Sequence, residues 1–146
     1  PGRVFLMAGI VYTVGTSTRS LDDFLQLIRG YSIDKLVDVR RFPRSQFDHF
    51  RSEKLKQFLR TERIEYVWMG ESLGGYRKGG YETYTRSEQF KKGVDTLEKE
   101  VVESTAFFCA EIVPWRCHRR YIARELVKRG VKVIHIIDER RTMEEQ

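Results

Sequence analysis

Short apolar runs alternate with amphipathic runs along nearly the whole chain, and this alternation restricts the fold more than any other feature. Residues 10–14, 35–39, 64–68, 105–109 and 131–137 are rich in Val, Ile and aromatic residues and are bounded by turn formers. Runs of this length and composition read as strands buried on both faces. Between them, apolar residues recur at helical spacing: Phe24, Leu25, Leu27 and Ile28; Leu55, Phe58 and Leu59; Phe90, Val94, Leu97 and Val101; Tyr121, Ile122, Leu126 and Val127. Such spacing gathers them on one face of a helix. Ser20, with Asp23 three residues on, is a capping-box-like start, and Gly30 and Gly130 are stop residues. Strand–helix alternation implies parallel strands joined by crossover helices that cover both faces. The expected fold is a three-layer αβα domain with a mainly parallel, five-stranded sheet. It would occupy residues 7–138 as a single domain. Residues 1–6 would be an amino-terminal extension, with Met7 a possible natural start, and residues 139–146 a charged, frayed tail.

The unusual residues are not spread evenly over this frame. Segments 15–19, 38–45, 71–84 and 109–120 all follow strands, whereas the turns near Gly30, Glu62 and Gly130 follow helices and are plain. The asymmetry gathers polar groups at the carboxyl edge of the sheet, where open α/β sheets bind ligands.

The net charge of +6 and pI of about 9.5 suit a phosphate-bearing or nucleic-acid partner. They equally suit a merely soluble basic surface. A charged fraction of 33% also fits the ion-pair networks of a thermophile. Two cysteines do not make a disulfide framework, and no apolar run approaches the ~20 residues needed to span a bilayer. The expectation is a cytoplasmic protein with no membrane partner. Its oligomeric state is not legible.

Four loops carry candidate chemistry. Gly15-Thr-Ser17-Thr-Arg19 leads into a helix amino terminus, which favours an anion, or is an ordinary capped loop. Asp38 and Arg40 close the second strand. Asp38 would hold Arg40 or a neighbouring loop as a structural partner, and Arg40, at the strand end, would face the crevice in a loop with Pro43 where Arg40, Arg41 and Arg44 cluster around Phe42, Phe47 and Phe50. Arginine interleaved with aromatics holds phosphates and stacks bases, or packs a loop with its stems. Glu71, Gly74, Gly75, Gly79 and Gly80, with Tyr76, Tyr81 and Tyr84, form a candidate flexible lid, or a nucleic-acid contact in which the tyrosines stack on bases. In the last loop, Arg116, His118 and Arg119 near a helix start would lower the pKa of Cys117, making it the better nucleophile of the two cysteines. Either cysteine is otherwise a small buried hydrophobe. Glu111 is a candidate acid/base group or an arginine-orienting partner, and His118 an acid/base group or a cap. Six residues separate Cys109 from Arg116, one more than a cysteine-phosphatase cradle has, and Pro114 removes a donor. Metal binding is not expected, because Cys109, Cys117 and His118 lack a fourth ligand at usual spacing. No cofactor is expected either.

These loops also carry a family resemblance. Tyr12-Thr-Val-Gly15-Thr-Ser17-Thr-Arg19-Ser, Val37-Asp38-Val-Arg40-Arg-Phe-Pro43-Arg-Ser, Leu73-Gly74-Gly75, and Cys109-Ala-Glu111 with Pro114 and Arg116-Cys117-His118-Arg119 occur in the order found in the family catalogued as domain of unknown function 488. The resemblance runs from Tyr12 to Ile137. It implies an α/β fold with a shared site and brings no assigned activity. Thr16 stands where that family often has histidine. Cys109 and the Asp38-Val-Arg40 run are also faintly similar to rhodanese-like sulfurtransferases, and the overall pattern is faintly Rossmann-like.

The leading expectation is an enzyme acting on a phosphate-bearing nucleotide or nucleic-acid component. Ser17, Arg19, Arg40 and Arg119 would hold the anion, and Glu111 would act with His118 or Cys117. The alternatives are a non-catalytic nucleic-acid binding module and a thiol-dependent, rhodanese-like transferase.

Overall fold

The computed structural model describes residues 9–42, 48–102, 104–111 and 113–146. Along the chain run β1 (Ile10–Gly15), α1 (Leu21–Gly30), β2 (Lys35–Asp38), a 3₁₀ turn (Asp48–Phe50), α2 (Ser52–Thr61) and β3 (Glu65–Trp68). Two one-turn helices come next, α3 (Gly70–Leu73) and α4 (Tyr81–Tyr84), and then α5 (Glu88–Glu100) and β4 (Thr105–Cys109). A second 3₁₀ turn (Pro114–Arg116), α6 (Arg119–Lys128), β5 (Lys132–Ile136) and β6 (Thr142–Glu144) complete it. The α1 cap is the expected one: Ser20 Oγ accepts the Asp23 N–H at 3.0 Å. Ser87 caps α5 in the same way through the Phe90 N–H.

The sheet has the order β3-β2-β4-β1-β5-β6. Its first five strands are parallel, and β6 runs antiparallel to β5, with Ile134 opposite Glu144 and Ile136 opposite Thr142. The expected five-stranded sheet is therefore six-stranded, and the segment expected as a frayed tail supplies the extra strand. All three residues of β6 are exposed, so no apolar alternation marks it in the sequence. What holds it is a turn in which Asp138 accepts the N–H groups of Arg140 and Arg141, both at 2.9 Å. Glu145 adds a 2.9 Å contact to Nε2 of the buried His135. The strand order also departs from the Rossmann order 3-2-1-4-5-6, because β4 lies between β2 and β1.

Alternate strand residues feed two separate cores. On one face, Val14, Leu36, Ala106, Phe108 and Ile136 pack against Phe24 and Ile28 of α1 and Leu55 and Leu59 of α2. On the other, Val11, Val37, Phe107 and Val133 pack against Phe90, Val94 and Leu97 of α5 and Ile122 and Leu126 of α6. Arg129 ties the end of α6 to α5 through Asp95 (2.5 Å) and Glu98 (2.8 Å). No helix among the described residues is long and apolar enough to cross a membrane.

This arrangement places the site. The chain leaves β1 and β2 toward the α1/α2 face but leaves β3 and β4 toward the α5/α6 face. Strand β4 sits between β1 and β2, so the loops after neighbouring strands diverge. A crevice opens where they part, at the carboxyl ends of β2 and β4.

Candidate functional site

At the end of β2, Asp38 is fully buried and Arg40 is 6% exposed. Asp38 Oδ1 accepts from the Arg40 backbone N–H (3.0 Å) and Nε (2.8 Å), and Oδ2 accepts from Arg40 Nη2 (2.8 Å) and the Tyr66 hydroxyl (2.5 Å). Arg40 Nη1 donates to Phe50 O at 2.8 Å. Burial opposes the charge on Arg40, but the bonds to Asp38 outweigh it and hold its pKa above the ordinary guanidinium value. The pair has the geometry of a structural ion pair, and Arg40 also lines the crevice. Burial, together with the charge and hydrogen bond of Asp38, raises the Tyr66 pKa.

At the end of β4, Cys109 is 2% exposed. Glu111 comes next but one, with its side chain exposed and its carbonyl accepting from Arg119 Nη2 at 2.6 Å. The turn at Pro114 brings the chain back so that the sulfurs of Cys109 and Cys117 are in contact, with Cα atoms 7.6 Å apart. Next to them, His118 Nε2 lies 2.7 Å from Val39 O. A carbonyl only accepts, so Nε2 carries the proton and Nδ1 is the acceptor of the neutral ring. Nδ1 faces Cys117 Sγ at 3.5 Å, and the Arg119 N–H also points at that sulfur at 3.5 Å. Burial pushes the His118 pKa down to about 4 against the opposing Val39 bond, so the ring is neutral at pH 7. Arg119 is fully buried and donates to Thr13 Oγ1 at 3.0 Å. Burial lowers its pKa to about 10, with the charge of Glu111 opposing. Thr13 Oγ1 in turn meets His135 Nδ1 at 2.6 Å.

The segment after β3 closes the crevice from the side. The segment expected as one long loop and candidate flexible lid holds two one-turn helices. Arg77 donates to Gly74 O (2.8 Å) and to Glu71 O, the Tyr81 hydroxyl to Leu73 O (2.7 Å), and the Tyr84 hydroxyl to Ser72 O (2.6 Å). These bonds fold the segment onto itself as α3 and α4. Gly74 is there because a Cβ would collide with the backbone of Arg41, and a Cβ on Gly75 would meet His118 Nδ1 at 3.3 Å. Tyr81 lays its ring 5.2 Å from that of His118 and supplies part of the burial that keeps it neutral.

The resulting cavity, about 390 Å³, is lined by Arg40, Arg41, Phe42 and Gly75, by Tyr76 and Tyr81, by Cys109, Ala110 and Glu111, and by Cys117 and His118. The structure thus brings together Cys109, Glu111, Cys117, His118, Arg40 and Gly75, with Gly74, Asp38 and Arg119 behind them. It does not bring in the first loop. The Thr16 and Ser17 N–H groups donate to Cys109 O (2.9 Å) and Ala110 O (2.8 Å), and Arg19 donates to Gly15 O and Ile137 O. The Thr16 and Ser17 backbone donors and the Arg19 guanidinium thus face protein carbonyls. Glu71 does not line the cavity. Pro43 and Arg44, and the side chain of Arg116, lie outside the described residues. Arg41, Phe42, Tyr76 and Tyr81 are visible in the sequence only as part of arginine-aromatic and glycine-tyrosine segments, because which of several neighbours faces a crevice is set by tertiary packing. Among the described residues, no group of three or more His, Cys, Asp or Glu side chains is placed to hold a metal ion.

A family model described as domain of unknown function DUF488 matches residues 20–126. No curated protein and no solved structure matches the chain. The matched span opens at the Ser20 cap and ends at Leu126 in α6, short of the span 12–137 over which the sequence motifs extend. It still contains every residue that lines the crevice. With that crevice, α1, α2, α5 and most of α6 inside the match, the chain belongs to the family described as domain of unknown function DUF488.

Proposed function

We propose that the crevice is the active site of a thiol-dependent enzyme in which Cys117 is the nucleophile, His118 its base and Cys109 the second thiol. One observation carries this reading: His118 commits Nε2 to a backbone carbonyl and turns Nδ1 toward Cys117 Sγ, which also touches Cys109 Sγ. A base oriented by a third group beside a sulfur is the general layout of an activated nucleophile. The start of α6 and the Arg119 N–H favour thiolate at Cys117. Burial keeps His118 neutral until the thiol yields its proton, and the thiolate so formed is the opposite charge that stabilises the imidazolium.

The second thiol points to sulfur as the electrophile. Cys117 thiolate attacks one sulfur of a disulfide substrate, and the departing thiolate takes the proton from His118. Cys109 then attacks Cys117 Sγ, loses its own proton to the second departing sulfur, and closes a Cys109–Cys117 disulfide. An external dithiol returns the pair to the reduced form. The anion-binding reading has less support, because the guanidinium groups of Arg19, Arg40 and Arg119 already donate to protein acceptors.

The test is alkylation of the reduced, native protein with iodoacetamide as a function of pH, mapped by mass spectrometry. Cys117 should react ahead of the buried Cys109, with a midpoint below the ordinary thiol value of about 8.5. His118→Gln should move that midpoint up. Silence of both cysteines at neutral pH, or a Cys117 midpoint at or above about 8.5 that ignores His118→Gln, refutes the proposal.

A further inference from the structure

We infer that the rim of this crevice is a stacking platform that takes the nucleobase of a mononucleotide, with Arg41 meeting its phosphate. This rests on reading the crevice as the active site and names a nucleotide group that its rim would hold beside the reacting disulfide. Among the described residues, Phe42 (57% exposed), Trp68 (45%), Tyr76 (84%) and Trp115 (53%) are large apolar side chains left in solvent. All four lie at or beyond the carboxyl ends of strands, on the crevice side of the sheet. Single exposed aromatics are ordinary, but two of these form a unit. The Phe42 and Tyr76 rings lie 6.0 Å apart with their planes inclined by 37°, so they make one continuous apolar floor. Arg41 ties that floor together. Its guanidinium sits 5.4 Å from the Phe42 ring centre and donates to Tyr76 O at 2.6 Å. Tyr76 itself is held at φ +61°, a left-handed conformation that side-chain-bearing residues seldom adopt. Two aromatic faces are thus kept in water by a fixed backbone and an arginine rather than folded inward.

The chemistry of the rim selects the ligand. Aromatic faces stack on any base, and arginine adds both stacking and charge. A guanidinium has five N–H donors, and the Tyr76 bond uses one. Glu111 brings an exposed carboxylate to the same cavity, able to accept from ribose hydroxyls or a ring amino group. That carboxylate also disfavours a run of phosphates. With a cavity of about 390 Å³, near the lower end for small-molecule sites, a single nucleotide fits better than an oligonucleotide track.

The test measures calorimetric binding of adenosine, guanosine, cytidine and uridine 5′-monophosphates to the Cys117→Ser protein, so the result does not depend on thiol reactivity. Ribose 5-phosphate is the ring-free control and a single-stranded oligonucleotide the polymeric one. At least one monophosphate should bind with submillimolar affinity and exceed ribose 5-phosphate by tenfold or more. Phe42→Ala/Tyr76→Ala should weaken it tenfold or more with the melting temperature unchanged, and Arg41→Gln should bring it toward the affinity of the free nucleoside. Absence of binding at millimolar concentration, equal binding of ribose 5-phosphate, indifference to the aromatic double variant, or binding only of the oligonucleotide would each overturn the inference. Nucleotide binding alongside an unreactive Cys117 would sink the thiol reading and leave the platform standing. A reactive Cys117 with no nucleotide binding would do the reverse.

Discussion

Replacing Asp38 by Asn keeps the shape of the β2 end and removes one charge. Four donors converge on this fully buried carboxylate: the Arg40 N–H, Nε and Nη2, and the Tyr66 hydroxyl. An Asn amide offers one acceptor oxygen and turns a donor toward the rest. About two bonds fail, at roughly 1–3 kcal/mol each for buried groups left without partners. Arg40 meanwhile stays buried without its counter-charge, and breaking a buried pair from one side costs about 3–5 kcal/mol. The two routes agree on about 3–5 kcal/mol, a third or more of the stability of a weakly stable domain. Urea unfolding at pH 7, monitored by far-ultraviolet circular dichroism, reads the loss as a shift in midpoint at unchanged slope. The same argument requires Asp38→Asn/Arg40→Met to be more stable than Asp38→Asn alone, because the second change removes the stranded cation. A single-variant loss below about 1 kcal/mol, or a double variant less stable than the single one, refutes the account of the β2 end.

Two further outcomes are expected from the same geometry. His118 has a native pKa of about 4 because it is buried, against about 6.5 in an unfolded chain. Between those values the unfolded chain binds a proton that the native state does not. The His118 contribution is therefore complete above about pH 6.5 and lost as pH falls toward 4, by up to about 3 kcal/mol. His118→Gln should flatten the acid limb of melting temperature against pH in that window. His135, whose pKa burial also lowers, leaves a residual slope, and identical slopes in both proteins count against the assignment. Two glycines should respond in opposite directions. Gly74→Ala drives a methyl group into the Arg41 backbone and should cost about 1–3 kcal/mol, whereas a methyl group on Gly30 meets nothing within 4 Å and should stabilise by up to about 1 kcal/mol. Denaturant midpoints decide both, and equal effects would contradict the packing described for α3.

The layered fold is legible in the sequence because burial imposes its own period. Strand residues such as Val37 and Phe107 must be apolar where both faces are covered, and helix residues such as Phe90, Val94 and Leu97 must recur every three or four positions. Strand β6 is not legible, since its three residues are exposed and its pairing depends on the Asp138 turn and on Glu145 reaching His135. The two short helices in segment 70–84 are not legible for a related reason. Glycine and tyrosine are what an open lid would contain, but here Gly74 permits a close backbone approach and the tyrosine hydroxyls find carbonyls.

The order along the chain of the five parallel strands and the four longer helices, and the edge of the sheet that carries polar loops, were determined by the sequence alone, because each is written in local periodicity and in the residues bordering each apolar run. Which of those polar residues meet was decided only by the tertiary structure. Arg19, Arg40 and Arg119 look alike in the chain, yet each reaches a different internal acceptor once β4 lies between β1 and β2. Cys109 and Cys117 are eight residues apart and came to share a contact only through the turn at Pro114 and the packing of His118 against Val39 and Tyr81. Contacts of that kind depend on how strands distant in sequence pack together, and no local pattern encodes them.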